Sequence, residues 1–194
     1  MDAFGAAVGM ACAVRHRDKP VHIVINQERN MAHDLINKIT AVPEYQDILI
    51  SPDDAMVRCD FNTLLIVVDT NRPDYVESQP LLESINKVAV IDHHRRAANY
   101  IENFALNLHE PYASSTCELV SEMLQYMVPT SEVMKAEAEC MLAGIYLDTK
   151  GFTVKTGVRT FEAAAYLKRV GADMSEVMKL FQCSFDEYIA RQRI

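Results

Sequence analysis

A chain of 194 residues has room for one substantial domain or two small ones, and its 49% hydrophobic and 24% charged residues are an ordinary globular balance that excludes disordered, collagen-like and mucin-like classes. No apolar run approaches the ~20 residues that span a bilayer, and Met-Asp-Ala-Phe-Gly shows no basic leader. The net charge of −8 argues against long nucleic acids, whose binders carry basic grooves, and leaves room for a small anion held through a metal.

Residues 2–17 are predicted as a helix with Phe4, Ala7, Val8, Cys12 and Val14 along one side. Asp2 occupies its N-cap position, where the carboxylate can bond amides of the first turn, and Gly5 and Gly9 allow close packing against a sheet. An α/β domain ordinarily feeds such a helix from a buried strand, and none precedes it here. Val21–Ile25 reads as a strand, 30–41 as a helix stopped by Pro43, and Asp47–Ile50 as a weak strand. Ser51-Pro52-Asp53-Asp54 starts a short helix near Ala55–Arg58. Leu64–Val68 is a continuous apolar run, expected to be a strand buried on both faces. Pro80–Ile85 is a short helix, Val88–Ile91 a second buried strand and Ala105–Leu108 a third. Helices follow at Ser115–Met127, Ser131–Leu147, Arg159–Val170, Met174–Gln182 and Phe185–Arg193. The order predicts an α/β fold: an open, mainly parallel sheet with helices on both faces in the first ~110 residues, then a helical layer.

Cys12, Cys59, Cys117, Cys140 and Cys183 are odd in number and widely spaced, so neither a disulfide framework nor a zinc ribbon is expected. Reduced thiols in a cytoplasmic compartment fit them.

Two apolar strands end in an aspartate, Asp69 and Asp92. In a parallel sheet both carboxyl ends lie on one edge, where open α/β sheets bind ligands, so these two are expected to be neighbours. His93 and His94 follow Asp92 directly, placing two imidazoles and a carboxylate at the rim. A single strand-end Asp is often only a turn residue; the combination points to a metal site. Asp148 follows the apolar run Met141–Leu147 and ends a helix, where a cation would meet the negative end of the dipole, although taken by itself a helix-terminating turn residue fits it better. Carboxylates with imidazole and no thiolate suit Mn²⁺ or Mg²⁺, and a carboxylate shared by two ions would give the two-metal arrangement of phosphoester hydrolysis. Arg72, Arg95, Arg96, Lys150, Lys155 and Arg159 follow these residues closely and are candidate phosphate contacts. Ser114-Ser115-Thr116 precedes a helix as a plain N-cap or a phosphate seat.

Val90-Ile91-Asp92-His93-His94 resembles the defining motif of the DHH phosphoesterase superfamily. Val67-Val68-Asp69-Thr70-Asn71 and Gly144-Ile145-Tyr146-Leu147-Asp148-Thr149-Lys150 resemble two more of its motifs. Glu110–Glu118 and Arg159–Ala165 are similar to the bacterial cyclic di-AMP phosphodiesterases of that superfamily. The resemblance implies Asp69 bridging two Mn²⁺ ions, His93 and Asp148 binding one of them, and Asp2 as a further ligand. It also implies His94 on the scissile phosphate, Asp92 orienting an imidazole, and Ser114 and Ser115 near a cyclic di-AMP or related small nucleotide, for which Arg95 is a candidate contact by its place after the histidines.

Met1-Asp2-Ala3-Phe4-Gly5 matches only the tail of the family's first motif. Residues 1–194 are therefore expected to be a DHH domain lacking its first strand and the C-terminal DHH-associated domain, with one metal position weakened and low activity. The resemblance also implies relatives anchored through membrane segments not expected in this chain and a cytoplasmic location, and a homodimer is compatible with it. An oligoribonuclease or pAp phosphatase of the same superfamily, or a non-catalytic nucleotide-binding module, are the alternatives.

Overall fold

The computed structural model describes residues 1–26 and 32–181. Its elements in chain order are α1 (Asp2–Arg15), β1 (Ile23–Val24), α2 (His33–Thr40), β2 (Leu49–Ile50), α3 (Pro52–Arg58), β3 (Leu64–Val68), α4 (Gln79–Ser84), β4 (Lys87–Asp92), β5 (Leu106–His109), α5 (Thr116–Met127), α6 (Lys135–Asp148), α7 (Val158–Val170) and α8 (Met174–Lys179). The helix expected at Phe185–Arg193 lies outside the described residues, as do positions 30–31 of the helix expected from residue 30.

Every strand pairing among the described residues is parallel. The strands form two pieces, β1–β2 and β3–β4–β5, with strand β4 in the middle of the larger one. Register aligns the carboxyl ends: Val68 pairs with Ile91, Ile91 with Leu108 and Asp92 with His109. Helices cover both faces. Ile91 joins the main core with residues of α1, α5 and α6. Val88 and Val90 point the other way, as the two-residue period of a strand requires, into a smaller core with Ile101, Val76 and Leu82. A third cluster packs Ile50 on Ala55, Leu81 and Ile85.

Two expectations are corrected here. β3 is not buried on both faces: Leu64 is 51% exposed and only Val67 of the strand is buried. β3 has one strand neighbour, and the apolar run is covered only toward its carboxyl end. β4 is the strand buried throughout, from Val88 to Asp92.

The first helix also differs. Instead of one apolar side, α1 is buried nearly all round, from Phe4 and Gly5 to Cys12 and Ala13. Its glycines meet helices rather than a sheet. A Cβ on Gly5 would come within 2.5 Å of the Cys140 carbonyl oxygen in α6, and one on Gly9 within 2.6 Å of both Met141 Sδ and Val120 Cγ1. The missing side chains let α1 lie against α5 and α6 as the central rod of the helical layer. A polar clamp fastens its far end: the Glu137 carboxylate accepts from Arg15 Nη2 at 2.9 Å, from the Met134 amide at 2.7 Å and from the Tyr45 hydroxyl.

Candidate metal centre

The carboxyl edge of the larger sheet meets the start of α1, the start of α5 and the end of α6 at one point. Alternation along β4 sends Asp92 and His93 to opposite faces. His93 faces the helices. Its Nε2 lies 3.3 Å from Asp148 Oδ2, 3.5 Å from Asp69 Oδ1 and 3.9 Å from Asp2 Oδ2. That nitrogen is buried and has no hydrogen-bond partner. Its other nitrogen, Nδ1, donates to the Ala113 carbonyl at 3.3 Å, which fixes the ring and leaves Nε2 as the ligating atom.

Two overlapping donor sets result. Asp2, His93 and Asp148 each offer one atom within 4.8 Å of the others, and so do Asp69, His93 and His94. A buried nitrogen aimed at three carboxylates without bonding any of them is the arrangement a cation completes, and the oxygen-rich donors fit a hard divalent ion. The structure thus brings Asp2, Asp69, His93, His94 and Asp148 together.

The electrostatics follow. Burial, then the neighbouring Asp69 and Asp148 carboxylates, push the Asp2 carboxyl up to about 7, against the hydrogen bonds from Cys117. Burial disfavours charge on His93, but Asp148, Asp69 and Asp2 outweigh it and push the imidazole up to about 10. Burial likewise works to raise Asp92, yet hydrogen bonds from His94 and Asn71 hold it below the ordinary carboxylate value. The bond to Asp92 raises His94 in return.

Asp2 does not cap its own helix, as its position in sequence suggests. Met1 is the N-cap of α1. The Asp2 carboxylate instead accepts the Thr116 amide at 2.7 Å and the Cys117 amide at 3.0 Å, the first two donors of α5. Room for this comes from Gly144, where a Cβ would lie 2.7 Å from Asp2 Oδ1. Asp69 stands in the left-handed region at φ 65°, which turns its side chain back over the sheet edge. Its amide holds the Ile91 carbonyl at 2.9 Å, continuing the ladder one residue past β3.

On the other face of β4, Asp92 is fully buried. Its Oδ1 accepts from His94 Nδ1 at 2.8 Å and from the His94 amide at 3.2 Å, while Oδ2 accepts from Asn71 Nδ2 at 2.5 Å. The His94 side chain is 54% exposed and its Nδ1 is committed to Asp92, so Nε2 is the atom left for a ligand. Arg95 is exposed beside it, and its carbonyl accepts from Asn71 at 3.4 Å.

Ser114 and Ser115 are buried and their hydroxyls are engaged. Ser114 Oγ donates to Glu118 Oε2 at 2.5 Å, and Ser115, the N-cap of α5, accepts from the Glu118 amide at 3.0 Å. The amides that would make a phosphate seat there are taken by Asp2. Arg159 also turns away from the proposed phosphate cluster: it grips Glu122 through two 2.7 Å bonds. Arg72 lies over the Tyr75 ring and Arg96 over the Tyr100 ring. Lys150 and Lys155 are exposed on the turn after α6.

Sequence reasoning met Asn71 and Glu118 only as members of motifs, with no role of their own, and assigned Thr116 no role at the cation site. An Asn two residues after a strand-end Asp is a bridging-turn signal, and Ser115-Thr-Cys-Glu118 has the capping-box pattern, although its Glu118 carboxylate accepts from Ser114 and not from the N-cap amide. Thr116 leaves no such trace, because its partners lie 114 and 47 residues away.

The fold and the site define the class: an open parallel α/β protein with a carboxylate–imidazole centre on the carboxyl edge of its sheet. The family model described as "DHH family, N-terminal domain" matches residues 1–145, and the chain belongs to the DHH family. It is 41% identical over 196 residues to the cyclic-di-AMP phosphodiesterase GdpP of Bacillus subtilis, covering 100% of this chain and 30% of that protein. It is 35% identical over 197 residues to the cyclic-di-AMP phosphodiesterase PdeA of Listeria monocytogenes, again covering 100% of this chain and 30% of the relative. Among solved structures, an exopolyphosphatase-related protein from Bacteroides fragilis shares the fold with a TM-score of 0.73 at 22% identity, over 95% of this chain and 54% of that one. A putative family II inorganic pyrophosphatase from Methanococcus jannaschii matches with a TM-score of 0.60 at 19% identity, over 91% and 56%. No helix among the described residues is long and apolar enough to cross a membrane.

Proposed function

We propose that this chain carries the hydrolytic centre of a cyclic di-AMP phosphodiesterase that opens one 3′–5′ phosphodiester to give linear pApA. The observation that carries the proposal is the buried, unpartnered His93 Nε2 facing Asp2, Asp69 and Asp148, with the exposed His94 beside it on Asp92. The names of the 35–41% identical relatives support the choice of substrate over pAp or an oligoribonucleotide.

Asp2, Asp69, His93 and Asp148 would hold Mn²⁺, with His93 common to the two donor sets. Bound there, divalent cations supply an acidified water and positive charge against the phosphoryl group. The chain's own residues do the rest. Asp92 holds the His94 ring through Nδ1, which leaves Nε2 of this exposed side chain to donate to a phosphate oxygen when the imidazole is protonated. Asn71 and the buried wall beneath Asp92 keep that carboxylate from turning to solvent. Arg95 adds positive charge at the rim for a substrate with two phosphates. In the net reaction, water adds across one P–O3′ bond, leaving a 3′-hydroxyl on one nucleoside and a 5′-phosphate on the other. A cytoplasmic location, where thiols stay reduced, belongs to the same proposal.

The test is chromatography of cyclic di-AMP incubated with the chain and Mn²⁺, beside pAp and pApA. Appearance of pApA, abolished by Asp69→Asn and by His93→Ala, is the expected result. Preferential consumption of pAp, or no Mn²⁺ dependence, overturns the proposal.

A further inference from the structure

Thr116 is the first residue of α5, and it is fully buried. The ordinary work of a helix start is already done around it. Ser115 is the N-cap and its hydroxyl takes the Glu118 amide. The Thr116 hydroxyl therefore has no local task, and it does not bond its own helix. It reaches across the site and donates to Asp69 Oδ1 at 3.1 Å, while the Thr116 amide donates to Asp2 Oδ2 at 2.7 Å. One residue thus holds two carboxylates that come from different ends of the fold.

The two carboxylates depend on it unequally. Asp2 has a second anchor, the Cys117 amide at 3.0 Å. Asp69 has none: among the described residues, Thr116 Oγ1 is its carboxylate's one hydrogen-bond donor. The two imidazoles stand at 3.5 and 3.6 Å from the same oxygen and make no hydrogen bond to it. Asp69 also sits on a left-handed backbone position, which a non-glycine residue occupies at a cost of about 1 kcal/mol and keeps only when its surroundings hold it. α5 is a firm support, since Cys117, Leu119, Val120 and Leu124 are buried in the main core.

We infer that Thr116 is a positioning residue for the cation site, whose hydroxyl fixes the Asp69 carboxylate against Asp2 and His93 before any cation arrives. The inference rests on the cation-binding reading given above. Its energetic content is preorganisation: without the hydroxyl, Asp69 samples orientations from which a cation must recruit it. Outer groups of this kind change metal affinity by about 10–100-fold when removed.

The experiment is a Mn²⁺ titration of the full chain, followed by the electron paramagnetic resonance signal of free Mn²⁺, on folded wild type and three variants. Thr116→Val keeps the shape and removes the donor. Thr116→Ala removes it with less crowding, and Thr116→Ser keeps it. The expected result is Mn²⁺ affinity at least about tenfold weaker in Thr116→Val and Thr116→Ala, with Thr116→Ser within about threefold of wild type. Val and Ala variants that bind as tightly as wild type overturn the inference and leave the cation site standing. So does a Ser variant that weakens with them, because packing rather than the hydroxyl would then be responsible. Wild type that binds no Mn²⁺ overturns the cation-binding reading and the inference with it.

Discussion

Asn71 and Asp92 are joined by a 2.5 Å hydrogen bond from carboxamide to carboxylate, and the same Asn71 side chain accepts the Ala97 amide at 3.2 Å. The loop after β3 is thereby stitched to the loop that presents His94, and Asp92 is left with Oδ1 for the imidazole. Asn71→Ala should free Asp92 to rotate and slow turnover of cyclic di-AMP by about tenfold or more, while Mn²⁺ affinity changes little. Asn71→Asp, which sets a second carboxylate against Asp92, should be worse. Turnover and Mn²⁺ titration on the same preparations decide it; unchanged turnover in Asn71→Ala would count against the coupling.

Cation binding should release protons. His93 is pushed up to about 10, so its Nε2 carries a proton at neutral pH that a cation must displace. Asp2 is pushed up to about 7, so below that pH a second proton competes. Affinity for Mn²⁺ should therefore rise with pH, releasing about one proton per site above pH 7 and approaching about two below it. Calorimetric titrations in buffers of different ionisation enthalpy read that number directly. Affinity that does not change between pH 6 and 8 would refute it.

Much of this centre was legible in the sequence because its residues end apolar runs. Asp69 closes Leu64–Val68, Asp92 closes Val88–Ile91 and Asp148 closes Met141–Leu147, so the elements themselves announced which side chains reach the edge. Asp2 shows where that logic fails. Local spacing put its carboxylate on the amides of its own first turn, but a buried carboxylate takes the free donors nearest in space, and these belong to α5, 114 residues away. Arg159 fails for the same reason, since a bidentate partner 37 residues away outbids a solvated rim position. The exposure of Leu64 was hidden too: an apolar run reports affinity for a core, and not whether a neighbouring strand covers it.

Gly144 holds the place where α6 passes the site. A Cβ there would lie 2.5 Å from Cys117 Sγ, 2.7 Å from Asp2 Oδ1 and 3.0 Å from Asp2 Cα, and backbone cannot yield as a flexible side chain can. Gly144→Ala should cost about 1–3 kcal/mol of stability through overpacking and weaken Mn²⁺ binding by displacing Asp2. Gly157→Ala, whose Cβ meets nothing within 4 Å, is the control for binding and should leave Mn²⁺ affinity unchanged, with a small stability cost at the N-cap of α7. Urea unfolding beside Mn²⁺ titration checks the pair; a silent Gly144→Ala would show that α1 and α6 can move apart freely.

Glu137 separates the stability of the fold from its chemistry. It is fully buried near the start of α6, eleven residues before Asp148, which is about 16 Å along a helix. It answers three donors: Arg15 Nη2 at 2.9 Å, the Met134 amide at 2.7 Å and the Tyr45 hydroxyl. Burial, then the charge of Glu137, holds the Tyr45 phenol far above its ordinary value, so Tyr45 stays a donor at every working pH. Glu137→Ala strands the Tyr45 phenol and leaves the part-exposed Arg15 to the Glu132 carbonyl, and should cost about 1–3 kcal/mol. Glu137→Gln keeps an acceptor for Tyr45 but loses the charge opposite Arg15, and should fall between. Because the clamp lies at the far end of α1 and α6 from the cation site, both variants should bind Mn²⁺ as wild type does wherever they remain folded. Chemical denaturation gives the first quantity and Mn²⁺ titration of the folded protein the second. A Glu137→Ala chain that keeps its stability would mean that water reaches Arg15 and Tyr45 and replaces the carboxylate, and that the clamp does not hold α1 to α6.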